Sequence, residues 1–260
     1  MASGRNSPSA ESESEKNLQD ELEKAEKAFE AGGAEGSTAF AKKKLDMWKT
    51  TPVRIAVVGQ SGAGKSAFIN TIRCIEDDED PLFADVDVVE CTTEKQPYAF
   101  PDNPLITLWD LPGAGTSKFN AAEYAKKFEF SSYDAFVLLS SERFTEIDQM
   151  IADEVKRIKK PFFFARTKMD NAMRDQKRKL KMKFDASKTS DHVREDCRKQ
   201  LGPSSKIFLI ANVGDSDLAE EFPGIRFDNM DLTKEITQSL PDLQKAALGK
   251  ILQCQHVSRI

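Results

Sequence analysis

The spacing of apolar positions changes near residue 50. Before it, Leu18, Leu22, Ala25 and Phe29 recur at three- and four-residue intervals, the stripe of an amphipathic helix. Ala31-Gly32-Gly33 and Gly36 break that stripe, and a second short amphipathic stretch carries Phe40, Leu45 and Trp48. Residues 1–16 are rich in Ser and Glu without apolar periodicity and are expected to be disordered. From residue 53 the apolar residues come instead as short runs, at 53–58, 105–109, 135–139, 162–165 and 207–211. Runs of this length with little polar alternation predict strands covered on both faces. Between the third and fourth runs, Ile147, Ile151, Val155 and Ile158 line one side of a helix. Strands alternating with helices predict an α/β fold, a mostly parallel sheet with helices on both faces. Near the end of the chain Ile236, Leu240, Leu243, Ala247 and Ile251 predict two helices joined at Pro241. The expected organisation is a disordered tail over 1–16, a helical segment over 17–50, the α/β domain over 51–228 and C-terminal helices over 229–260.

Chemistry enters at the end of the first predicted strand. Gly59-Gln60-Ser61-Gly62-Ala63-Gly64-Lys65-Ser66 is a full GxxxxGK[ST] phosphate loop, and Ala67 and the residues after it open a helix. Glycines let backbone N–H groups turn inward and cradle phosphate oxygens at a helix N-terminus. Lys65 is placed to reach the β and γ phosphates, and the Ser66 hydroxyl to ligate Mg²⁺. The second run ends in Asp110-Leu111-Pro112-Gly113, which fits DxxG. A carboxylate there holds Mg²⁺ through water, and the Gly113 N–H senses the γ-phosphate. Together these predict a P-loop NTPase G domain flanked by N- and C-terminal helices.

The fourth run delivers Thr167-Lys168-Met169-Asp170, a match to [NT]KxD. An Asp carboxylate accepts from guanine N1–H and the exocyclic amine, whereas adenine offers an acceptor and no such amine, so guanine is favoured over adenine. Lys168 lays its stem along the base, and Ala211-Asn212, after the last run, is placed to touch the base by backbone. A switch hydroxyl completing the Mg²⁺ shell falls to Thr92 or Thr93, with Thr92 preferred. The residue after Gly113 is Ala114 rather than a Gln that orients water, so an isolated chain is expected to hydrolyse slowly. A nucleotide-binding interaction module that barely hydrolyses is the rival reading, and an ATP-dependent P-loop enzyme a second.

Composition trims the alternatives. The 38 basic and 43 acidic side chains leave a net charge of −5, which argues against a general nucleic-acid binder. Residues 174–183 carry six basic side chains, read as a solvated helix face or loop. The acidic run at 76–80 reads as a solvated loop rather than a metal site. No apolar run reaches membrane-spanning length. A polar start predicts no secretory leader, and Ala2 in place of Gly removes N-myristoylation. Four cysteines without CxxC spacing and two histidines predict neither a zinc site nor a disulfide framework, and Cys74, Cys91 and Cys197 read as core or half-buried thiols.

Taken together, the motifs resemble the immunity-related GTPases, an interferon-inducible family. The matching stretches are residues 59–70, Val88-Val89-Glu90 with Thr92, and Pro97-Tyr98. They continue with Trp109 through Thr116, Arg166 through Asp170 and Ile207 through Asn212, so the similarity spans about residues 50 to 240. That resemblance implies GTP hydrolysis to GDP and phosphate, with GTP-dependent homodimers or oligomers formed through the G domain. It implies a role for Glu90 at that contact, where hydrolysis is stimulated, beside Lys65 at the phosphates. It also implies a cytoplasmic protein with peripheral association with intracellular membranes in innate defence, and that the last helices begin a helical domain. Lys65 itself is what effector-type members carry. Val86-Asp87 stands where the family usually has Thr-Gly before Val-Val-Glu, so one switch hydroxyl is absent.

Overall fold

The computed structural model describes residues 10–47, 52–75, 78–85, 94–101, 103–114, 120–142, 144–211, 221–222 and 225–239. They fall in two compact units, Met1–Thr50 and Thr51–Ile260.

The first unit holds α1 (Ala10–Met47), which is two helices run together across Gly33, where φ is 58° and ψ −140°. Close approach explains the nearby Gly36: a Cβ built there would stand 2.2 Å from the Ala28 carbonyl oxygen. Residues 10–16, expected to be disordered, belong to this helix. Their Ala, Glu and Lys are strong helix formers even without an apolar stripe.

The second unit is built on a six-stranded sheet of order β2-β3-β1-β4-β5-β6. Its strands are β1 (Val53–Gly59), β2 (Gln96–Phe100), β3 (Asn103–Asp110), β4 (Ala135–Ser140), β5 (Phe162–Arg166) and β6 (Ile207–Leu209). All neighbours are parallel except β2 and β3, an antiparallel pair with an irregularity between Ala99 and Phe100. The five sequence runs are thus the five parallel strands, and β2 is an addition at the edge. Pro97, which cannot donate to a ladder, fits that edge position. The chain steps from β1 to β3 on one side and then to β4 on the other, so the strand order reverses at β1. Ligand crevices form at such a reversal, outside the carboxyl ends of the strands.

The helices of this unit are α2 (Lys65–Ile72), α3 (Ala121–Lys127), α4 (Glu146–Arg157), α5 (Met169–Leu180), α6 (Ala186–Leu201) and α7 (Asn229–Ser239). Right-handed crossovers put α2, which runs toward one edge, on the face opposite α3 to α6. Local chemistry fixes their starts. Asn120 accepts from Ala122 N and Glu123 N to begin α3, and Asp185 accepts from Lys188 N to begin α6. Thr145 and Asp148 form a reciprocal capping box on α4. Val58, Leu138, Phe136, Phe164, Ile151 and Val155 are among the fully buried core between sheet and helices. Cys197 joins that core, and burial pushes its thiol up to about 11. Cys74, expected to be at least half-buried, is exposed, because it takes a left-handed φ of 56° just past the end of α2. The predicted helices after residue 239 lie outside the described residues. Among those described, no helix is long and apolar enough to cross a membrane.

Candidate functional site

The phosphate loop sits at the end of β1, as its sequence requires. Gly59 has φ 151°, and a Cβ on it would meet the Leu139 carbonyl oxygen at 2.3 Å, so a side chain there would collide with β4. Gly62 and Gly64 take φ 74° and 83°, and α2 starts directly after at Lys65. The Lys65 side chain is buried over the loop, its ammonium donating to the Gln60 carbonyl at 3.2 Å. Ser66 Oγ donates to Asp110 Oδ2 at 2.9 Å. Asp110, paired with Val57 across the β1–β3 ladder, is 1% exposed. A hydroxyl and a carboxylate side by side next to Lys65 are hard oxygen donors, the set Mg²⁺ takes when phosphate and water complete its shell. The described residues hold no group of three or more His, Cys, Asp or Glu able to form a metal cage by themselves. The switch candidates Glu90, Thr92 and Thr93 lie outside the described residues.

Beyond Asp110 the chain is tied back to the loop. Leu111 N donates to Val57 O at 3.1 Å and Ala114 N to Gly59 O at 3.2 Å. Between them Gly113 presses on the loop itself, and a Cβ there would stand 2.7 Å from Ser61 N. From α3, Tyr124 OH donates to the Pro112 carbonyl at 2.6 Å, and burial raises that phenol well above its ordinary value.

The [NT]KxD residues stand at the next strand end but one. Thr167 is fully buried, and its hydroxyl donates to the Ala63 carbonyl at 2.7 Å, so this side chain braces the phosphate loop. Lys168 is exposed with φ 54° and ψ 34°, a left-handed backbone uncommon for a residue other than glycine and one that turns the chain into α5. Such outliers cluster where a ligand is gripped. Asp170 lies buried in the first turn of α5, where Arg174 Nη1 donates to its Oδ2 at 2.8 Å. Ala211 is held by the Asn229 side chain, which accepts from its N–H at 3.3 Å and donates to its carbonyl at 2.7 Å. Its neighbour Asn212 lies outside the described residues.

A cavity of about 600 Å³ runs along the flank of the loop, lined by Gln60 to Ala63, Ser140, Thr145, Asp148, Arg166 and Lys168. Gln60 Nε2 donates to Thr145 Oγ1 at 2.7 Å, and Thr145 Oγ1 donates to Asp148 Oδ2 at 3.0 Å. Burial pushes the Asp148 carboxyl up, opposed by its bonds from Thr145 and Gln60, and burial lowers the Arg166 guanidinium. Sequence reasoning passed over Gln60, Thr145, Asp148, Arg174, Glu221 and Asn229. The Thr145-x-x-Asp148 spacing carries a local signal, that of a capping box, and Asp170 to Arg174 that of an i,i+4 helix pair.

The family described as Interferon-inducible GTPase (IIGP) matches residues 18–254. Interferon-gamma-inducible GTPase 10 of Mus musculus is 36% identical over 194 residues, 73% of this chain and 44% of that protein. Interferon-inducible GTPase 5 of Rattus norvegicus is 35% identical over 198 residues, 75% of this chain and 42% of that one. The chain therefore spans about half the length of the curated relatives it matches. Among solved structures, the FeoB G domain from Methanococcus jannaschii gives a TM-score of 0.40 at 17% identity, covering 73% of this chain and 97% of that one. Because the family match runs over most of the sequence and takes in the phosphate loop, the DxxG strand end and the [NT]KxD strand end, the chain belongs to the interferon-inducible GTPase (IIGP) family.

Proposed function

We propose that this chain binds GTP and GDP together with Mg²⁺ and hydrolyses GTP to GDP and phosphate. The observation that carries the reading is the contact of Ser66 with Asp110 beside the buried Lys65, three groups from two strand ends brought to one point. In this reading Lys65 neutralises charge on the β and γ oxygens, and the Gly113 N–H faces the γ-phosphate. Ser66 would ligate Mg²⁺ and Asp110 would hold it through water, and the ion would supply positive charge at the phosphate oxygens. Lys168 lies along the base and Asp170 accepts from guanine. Thr167 acts through the loop it braces.

Self-association through the G domain, with Glu90 at the contact, rests on the family resemblance. So do a cytoplasmic location with peripheral association with intracellular membranes and a part in innate defence. A second reading, a nucleotide-gated interaction module with negligible hydrolysis, is favoured by Ala114. Its side chain is buried and its N–H is engaged by Gly59 O, so it offers no group to orient water. GTP turnover per molecule, measured with Mg²⁺ over a wide range of protein concentration, separates these. Specific activity that rises with concentration supports hydrolysis completed across a self-contact. A constant rate places every catalytic group within one chain, and a rate at background supports the binding module.

A further inference from the structure

Asp170 does not hold its orientation unaided. A carboxylate in the first turn of a helix has a broad terminal torsion, yet two-point recognition of a base requires its plane to be fixed. Arg174, one turn on, donates from Nη1 to Asp170 Oδ2 at 2.8 Å. The other side of the same guanidinium is gripped by Glu221, with Nε at 3.0 Å from Oε1 and 2.8 Å from Oε2. Glu221 is itself anchored. Lys177 Nζ donates to its carbonyl at 3.3 Å and lies over the ring of the next residue, Phe222, which is 2% exposed. The Glu221 carboxyl is held below the usual carboxylate range by its bond from Arg174.

We infer that Arg174 is the positioning residue for guanine recognition, its planar fork holding the Asp170 carboxylate while Glu221 holds the fork. This rests on the guanine reading proposed above. Only a guanidinium serves both carboxylates in one plane; an ammonium is a point charge. One lone pair of Oδ2 is spent on Arg174, and the remaining acceptor positions of the carboxylate stay available for the two N–H groups of guanine. When the carboxylate is released, the two-point contact is degraded first at its second bond. Inosine nucleotides, which keep N1–H and lack the exocyclic amine, report that loss.

The test is competition of GDP, IDP and ADP against a fluorescent GDP on the full chain. The proteins are the wild type, Arg174→Ala, Arg174→Lys, Glu221→Gln and the Arg174→Ala/Glu221→Gln double variant. Arg174→Ala should weaken GDP about tenfold and IDP less, so the GDP-to-IDP preference falls several-fold. Arg174→Lys should restore part of that preference. Glu221→Gln should shift it in the same direction and add nothing in the double variant. If Arg174→Ala does not fold, the Lys and Gln variants carry the same ratio. GDP and IDP weakened by one common factor, or an unchanged ratio, overturns the inference and leaves Arg174 a structural prop. A wild type that binds ADP as tightly as GDP removes the guanine reading itself.

Discussion

Thr167 Oγ1 donates to the Ala63 carbonyl oxygen at 2.7 Å, joining the end of β5 to the phosphate loop across 104 residues of chain. Both groups are buried, so the bond is protected from water and its loss leaves an acceptor without its donor. Thr167→Val keeps the shape and removes only the hydroxyl. The expected cost is about 1–3 kcal/mol of stability, read as a lower melting temperature. Because the brace acts on the loop rather than the base, GDP and ADP should weaken by similar factors in competition binding. Selective loss of GDP would place Thr167 on guanine instead.

Ser66 and Asp110 make a second joint, and it separates metal binding from nucleotide binding. Asp110→Asn preserves size and the acceptor for Ser66 Oγ while removing the charge that favours a divalent cation. GDP affinity titrated with and without Mg²⁺ should show strong dependence in the wild type. That dependence should fall about tenfold or more in Asp110→Asn, since a charge-assisted contact is lost. A variant whose GDP affinity responds to Mg²⁺ as the wild type does would remove Asp110 from the metal shell.

The parallel strands are legible because each is a short apolar run, buried on both faces in β4 and alternating between buried and half-buried in β3, and the phosphate loop because its chemistry is contiguous in sequence. Gly59 to Ser66 occupy one turn, and Thr167 to Asp170 another. What escaped notice is either weakly apolar or distant. Gln96 and Pro97 begin an edge strand, β2, with few buried positions, so its pattern is faint. Gln60 meets Thr145 across 85 residues and Arg174 meets Glu221 across 47, and nothing local in either segment announces its partner. By sequence Arg174 is one of six basic residues over 174–183 that read as a solvated helix face or loop. The structure separates it from Lys179 and Lys183 by the two carboxylates it grips. Thr167 belongs to the [NT]KxD motif, and its hydroxyl donates to the Ala63 carbonyl, a contact that only the packing of β5 beside the loop decides.

Asp148 predicts a pH dependence. It is fully buried, and desolvation raises its carboxyl above the ordinary carboxylate range. The folded chain therefore holds that proton more tightly than the unfolded chain. Its stabilising contribution is complete below the unfolded value and is lost as pH rises through the raised one. Asp148→Asn keeps an acceptor for Thr145 and never ionises. Thermal melts from acid to neutral pH should show the wild type losing more stability than Asp148→Asn over the interval just above the ordinary carboxylate value. Parallel profiles would mean that the bonds from Thr145 and Gln60 fully offset the burial.

Gly113 sets a close-contact requirement between two segments of the site. It belongs to the segment after β3, which Leu111 N–Val57 O and Ala114 N–Gly59 O stitch to β1 on either side. A Cβ at Gly113 would stand 2.7 Å from Ser61 N and 2.9 Å from Ser61 Cα, and these are backbone atoms that no rotamer change can move aside. Gly113→Ala must therefore displace either the loop or the segment, at about 1–3 kcal/mol of overpacking. Tyr124, whose hydroxyl holds the Pro112 carbonyl at 2.6 Å, stops the segment from swinging away freely. The strain then falls on the Ser61 N–H that the phosphate cradle needs. Gly113→Ala should lower the melting temperature and weaken GDP, and combining it with Tyr124→Phe should recover part of the GDP affinity by letting the segment retreat. Full GDP affinity in Gly113→Ala alone would mean that the loop and this segment are not in contact when nucleotide is bound.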